Sequence, residues 1–194
     1  EEDFFFPSDL NYSIVSPRDY KFSRPWGVPV RFHDFKSYDQ VISPDIYEFH
    51  LSYTDMDLNP DEFLEGEYTS DFVVHAPELF SGSHLMDLTS QDKEYLERSI
   101  HETQRVIDVT RSLKQFFPST DRPLIVANIG GFSMDTPIDN KKKLIHYQEF
   151  EKSLTRLDLE GVELIPQTMA PFPWHFGGQR YQNLFVEVEE IIEW

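Results

Sequence analysis

From Pro29 onward, apolar and polar positions alternate in a repeating rhythm. A short apolar or β-branched run closes on polar residues, and a longer segment with 3.6-residue spacing follows. The runs predict strands over 28–33, 46–51, 71–75, 123–128 and 162–167. Several are almost continuously apolar, as strands covered on both faces should be. The clearest helix is predicted over 91–117, with Leu96, Ile100, Ile107, Leu113 and Phe117 along one face. Thr89 or Ser90 is its expected cap, Asp92 falls in its first turn, and Pro118 stops it. A second helix is predicted over 139–159, carried by Leu144, Tyr147, Phe150, Leu154 and Leu157 and ended by Gly161. A third is expected to start near Gln179, with Tyr181, Leu184, Phe185, Val188 and Ile192 on one side. Residues 37–42 and 60–66 are read as shorter helical turns.

Strands alternating with helices imply a parallel sheet. A dinucleotide-type open sheet should place a glycine-rich turn after its first strand, but His33-Asp34-Phe35 stands there. The expected class is therefore α/β of the (β/α)8 TIM-barrel type. A complete barrel takes roughly 250 residues, so five strands correspond to the first five or so βα units. Residues 28–194 are assigned to this partial barrel. Residues 1–27, aromatic-rich and broken by Pro7, Pro17 and Pro25, are read as a connector. The start at Glu1 and the stop at Trp194 inside an amphipathic pattern suggest part of a longer polypeptide.

Composition narrows the partners. The chain has 194 residues, 17 Lys plus Arg against 35 Asp plus Glu, and a net charge of −18. Such a surface repels phosphate backbones and anionic membranes, so neither nucleic acid nor membrane is expected. No apolar run has the roughly 20 residues of a membrane span, and no basic start leads into an apolar leader. The absence of cysteine excludes disulfides and thiolate chemistry and fits a cytoplasmic setting. With 17 Phe and 9 Tyr, the chain has ample material for a core.

In a barrel the chemistry sits at the C-terminal ends of the strands. Those ends carry His33, then Glu48 and His50, then His75 with Glu78, then Asn128 before Gly130-Gly131. The fifth ends in Gln167, followed by a loop with Trp174, His175, Gln179 and Arg180. Four of seven histidines thus fall at one rim. Imidazoles and carboxamides under an aromatic rim suit sugar hydroxyls or a divalent cation. His75 and Glu78 are the expected acid/base pair. His33, Glu48, His50, Asn128, Gln167, Trp174, His175, Gln179 and Arg180 are the expected substrate contacts, and Phe172 and Tyr53 could add stacking. Each has a plainer alternative. A strand-end histidine can be structural, Glu48 can face the helices, Glu78 can cap a turn, and Asn128 can merely hold the Gly130-Gly131 turn. His84, His101 and His146 are read as structural or solvent-exposed.

The stretch Val-Val-His-Ala-Pro-Glu-Leu (73–79), with Met-Asp-Leu-Thr-Ser (86–90) and Ser99-Ile100, resembles the third-strand region of xylose-isomerase-like barrels. Residues 123–131 and 162–168, the latter with the Pro-Phe-Pro-Trp-His-Phe-Gly-Gly loop, resemble that superfamily's fourth and fifth strands. Residues 5–10, 24–35 and 48–53 are similar to the C-terminal part of long bacterial proteins of the N-acetylneuraminate (sialic acid) synthase-like type. There, residues 1–23 would leave an antifreeze-like domain. The resemblance implies a sugar or sugar-phosphate isomerase or epimerase domain in nonulosonic-acid or surface-polysaccharide synthesis. Its alternative is a non-catalytic carbohydrate-binding or scaffolding domain. It also implies a small-molecule sugar, a divalent metal with His75 as a ligand, and further domains of the same polypeptide as partners; separately, five strands leave two unpaired sheet edges, which a homodimer would cover. Asn128 and Gln167 stand where the family has a metal-ligating histidine and glutamate, and both are poorer ligands.

Overall fold

The computed structural model describes residues 22–170 and 180–194. Five parallel strands form the main sheet: β1 (Gly27–Val30), β2 (Ile46–His50), β3 (Asp71–His75), β6 (Leu124–Ala127) and β8 (Glu163–Pro166), adjacent in that order. Between them lie α1 (Phe32–Asp39), the hairpin β4 (Leu79–Phe80) and β5 (His84–Leu85), α2 (Lys93–Lys114) and α3 (Asn140–Leu154). A second small antiparallel pair joins β7 (Phe132–Ser133) to β9 (Tyr181–Gln182), and α4 (Val188–Glu193) follows.

The order of the main strands follows the chain without reversal. Right-handed crossovers then deliver successive helices to the same face, and the packing agrees. Val30, Tyr47, Phe49, Phe72, Val74, Ile125 and Ala127 are buried on that face. Phe35 of α1 meets Tyr47 at 4.9 Å and Phe49 at 5.5 Å between ring centroids. Phe117, just past α2, meets Phe72 at 4.9 Å and Phe49 at 5.7 Å. The alternate positions (Ile46, Glu48, Val73, His75, Val126 and Ile165) are only half-buried.

Both outer strands carry a proline. Trp26 offers its carbonyl to the amides of Asp45 and Ile46, so the alternating polar groups at Gly27 and Pro29 point off the sheet. Glu163 and Gln167 donate to Pro123 and Ala127, so Leu164 and Pro166 point off the opposite edge. Each missing N–H thus lies where an outer strand tolerates it.

The predicted strands 46–51 and 71–75 form β2 and β3, and the runs 123–128 and 162–167 supply β6 and β8. The first strand is shorter than its run, and its tail is helical. Phe32 and Phe35, three apart, are both buried, and Asp34 accepts from the Arg31 N–H at 2.6 Å to start α1. The expected helix over 91–117 spans Lys93–Lys114. Its cap is Asp92, whose Oδ1 accepts from Glu94 and Tyr95 N–H, because Thr89 is already tied to Asp87 and His146. The helix over 139–159 stops at Leu154. The helix expected from Gln179 forms only at Val188–Glu193. Tyr181 and Gln182 pair as a strand instead, and Leu184 and Phe185 are buried in a loop whose buried neighbour Asn183 bonds the Gly131 carbonyl and the Ile138 N–H. No helix among the described residues is long and apolar enough to cross a membrane.

Candidate functional site

The C-terminal ends of β1, β2, β3 and β8 open on one cleft of about 370 Å³. It is lined by Arg31, His50, Leu51, His75, Ala76, Pro77, Glu78 and Gln167. Arg31 and Gln167 follow the first and fifth strands of the sheet, about 19 Å apart if the sheet were flat. Both nevertheless line this one cleft.

At its centre lie two histidines. His50 and His75 are register partners on neighbouring strands, and their rings stack with centroids 4.3 Å apart and planes 6° from parallel. Glu48, two residues before His50 and therefore on the same side of β2, lies with Oε1 3.1 Å from His50 Nδ1. A carboxylate only accepts, so the Nδ1–H of His50 is the donor and its Nε2 is left for chemistry. His75 Nδ1 lies 3.2 Å from the Ala76 carbonyl, which fixes its proton there too and leaves Nε2 with a free lone pair. Burial pushes the His75 pKa below the usual imidazole value, and the neighbouring His50 adds to this. Glu48, the Ala76 carbonyl and Glu78 pull the other way without reversing the shift. His75 is thus a neutral imidazole at pH 7.

The walls differ in charge. Glu78 is half-buried in the loop after β3. Opposite in sign is Arg31, whose NH1 reaches Asp55 Oδ2 at 3.4 Å. That carboxylate oxygen is already held at 2.7 Å by both the amide and the hydroxyl of Ser52. Gln167 Oε1 is shielded from solvent and has no hydrogen-bond partner among the described residues.

Of the residues singled out in the sequence, His50, His75, Glu78 and Gln167 meet in the cleft, and Glu48 joins through His50. His33 does not: it sits in the first turn of α1, exposed, with Asp34 3.9 Å away. Asn128 is buried, and its Oδ1 accepts from Gly130 N–H and Gln182 Nε2, so it holds the Gly130-Gly131 turn. Arg180 lies over the Phe132 ring at 5.9 Å and is no part of the cleft lining. Tyr53 is exposed. Phe172, Trp174, His175 and Gln179 lie outside the described residues. His84 is buried, bonded through Nε2 to Ser99 Oγ at 3.0 Å. His146 Nδ1 meets Thr89 Oγ1 at 2.9 Å. Arg31 and Asp55 were not visible as site residues. Arg31 lay inside a run read as strand, and no local pattern announces its pairing with Asp55.

A divalent metal does not fit these side chains. Among the described residues no group of three or more His, Asp or Glu is placed to hold one. Imidazole lone pairs lie in the ring plane, and the near-parallel planes of His50 and His75 give no common point within bonding distance of both. Asn128 is committed to its turn. Compared with known protein families, with curated proteins and with solved structures, the chain matches none.

Proposed function

We propose that this chain is the first part of a (β/α)8-type barrel whose rim moves a proton on a sugar-type carbonyl compound, as an isomerase or epimerase does. The barrel reading draws on strands that follow chain order and on one sheet face buried under α1 and the segment just past α2. The functional reading is carried by one observation: a neutral His75 stacked on a His50 that Glu48 orients. His75 Nε2 takes the proton from the carbon next to the carbonyl and becomes imidazolium. The C–H electron pair passes to the carbonyl, giving an enediol. His50, held in place by the Glu48 carboxylate, supplies the proton to oxygen, and reversal on either carbon completes the transfer. Gln167 and Glu78 meet hydroxyls. The sugar class, and a place in nonulosonic-acid or surface-polysaccharide synthesis, come from the resemblance.

The test is proton exchange. Aldoses, ketoses and their phosphates are incubated with the protein in D2O and followed by proton NMR. The wild type is expected to exchange the hydrogen α to the carbonyl. His75→Asn abolishes exchange while keeping its circular dichroism, and Glu48→Gln slows it by about 100-fold, the lower end of general acid–base contributions. Binding without exchange in the wild type would leave the non-catalytic carbohydrate-binding reading. Exchange undiminished in His75→Asn would overturn the assignment.

A further inference from the structure

We infer that Arg31 is the specificity-determining residue of this cleft, and that it selects sugars bearing an oxyanion, either a phosphate ester or a carboxylate. The inference rests on the sugar-directed reading above.

Three observations carry it. Arg31 is the sole Lys or Arg among the described residues that line the cleft, in a chain with a net charge of −18. A lone cation there sets where a negative group can sit. Second, its ion pair leaves capacity. Only NH1 approaches Asp55, at 3.4 Å, and the oxygen it approaches already takes two 2.7 Å bonds from Ser52. A guanidinium has five donors in a fixed fork that matches two oxygens of a carboxylate or phosphate side by side. Asp55, buried, therefore orients the arginine rather than saturating it. Third, Gln167 lines the opposite wall, and its carboxamide group can hydrogen-bond a sugar hydroxyl. One ligand meets both walls: an anionic group at Arg31, a hydroxyl at Gln167, and the reacting carbon between them at the histidine pair. Glu78 sets its direction, lying beside His75, where an anion would be repelled.

The test is calorimetric titration with three probes of one configuration: a hexose 6-phosphate, the corresponding hexuronate and the neutral hexose. Inorganic phosphate serves as competitor. Wild type is expected to bind at least one anionic probe about tenfold or more tighter than the neutral sugar, the effect of one charged hydrogen bond. Phosphate competition identifies the ester as the preferred group, and hexuronate preference identifies the carboxylate. Arg31→Gln removes the difference between anionic and neutral probes. Arg31→Lys keeps part of it, because the charge stays while the fork is lost. Lys36→Gln, on the exposed face of α1 where Lys36 pairs with Glu65 at 3.2 Å, leaves all affinities unchanged. Equal binding of neutral and anionic probes by wild type, or an anion preference that survives in Arg31→Gln, overturns the inference. The two readings fail separately. Neutral sugars that exchange their protons without regard to Arg31 sink this inference and keep the proton-transfer reading. Anion binding at Arg31 without proton exchange does the reverse.

Discussion

Replacing Gly130 by alanine tests how the loop after β6 is fastened to the loop before α2. Gly130 has φ +97°, and a Cβ built there would lie 2.1 Å from Asp87 Oδ1 and 2.5 Å from Asp87 Cα. Part of the obstacle is backbone, so no side-chain rotation clears it. Asp87 Oδ1 also accepts from Thr89 N–H at 3.0 Å, Thr89 Oγ1 at 2.8 Å and Gly131 N–H at 3.2 Å, and pushing it aside strains all three bonds. An alanine held at positive φ costs about 1–2 kcal/mol. Overpacking against a fixed neighbour adds about 1–3 kcal/mol. The sum is about 2–5 kcal/mol, a large share of the 5–15 kcal/mol typical of a folded domain. Gly161 is the internal control. It has φ +74° but open space around its missing Cβ, so Gly161→Ala carries the strain alone. At roughly 2–4 °C per kcal/mol for a chain of this size, Gly161→Ala should lower Tm by about 2–8 °C and Gly130→Ala by about 4–20 °C. Thermal unfolding followed by circular dichroism reads both. A Gly130→Ala variant that melts with Gly161→Ala would show that Asp87 yields freely, and the collision argument would be wrong.

Phe117 is fully buried and lies within 6.3 Å, centroid to centroid, of Phe35, Tyr47, Phe49, Tyr68 and Phe72. Phe117→Ala should cost about 3–5 kcal/mol in urea unfolding, and a loss under 1 kcal/mol would remove its central place in the core. Acid should also weaken the fold. Burial lowers the folded-state pKa of both His75 and His84, with His50 and Arg98 adding to the respective shifts. The unfolded rings then take up protons that the folded ones refuse, so the stability they contribute is complete above the ordinary value of 6.5 and declines as pH falls below it. Urea midpoints at pH 7.5 and 5.5 should separate more in wild type than in a His75→Gln/His84→Gln double variant. Equal separations would contradict the burial argument.

Where a segment's own pattern decides its structure, the sequence was legible. The strands β2 and β3 were readable because each is a short apolar run with polar flanks. The helix α2 was readable because its apolar stripe runs for several turns. Elsewhere tertiary bonding decides. Tyr181, Leu184, Phe185 and Val188 mimic a helical stripe, but buried Gln182 and Asn183 satisfy the Gly130 and Gly131 carbonyls and draw the chain into a strand and loop. At the first strand, Phe32 and Phe35 follow helical spacing inside a run that reads equally well as extended. The site divides the same way. Histidines at strand ends were visible, but the stacking of His50 on His75 depends on register between strands 25 residues apart in the chain. The service of Asn128 to its own turn, and the exposure of His33, follow from backbone geometry that no residue type announces.

The two outward-facing prolines govern how this sheet can associate. A strand laid along either edge would find no N–H at Pro29 or Pro166, so each added ladder begins with a lost bond. The remaining strands of a barrel would therefore pair along these edges one hydrogen bond short on each, and indiscriminate edge-to-edge growth is the less favoured for it. A further gain lies in covering the second face, where Ile46, Val73, Val126 and Ile165 are half-buried. Glu48 and His75 stand on that same face. Any surface that settles there therefore touches the groups that set the proton chemistry. By reciprocity, ligand in the cleft must shift the affinity of that surface by the same factor that the surface shifts the affinity for ligand.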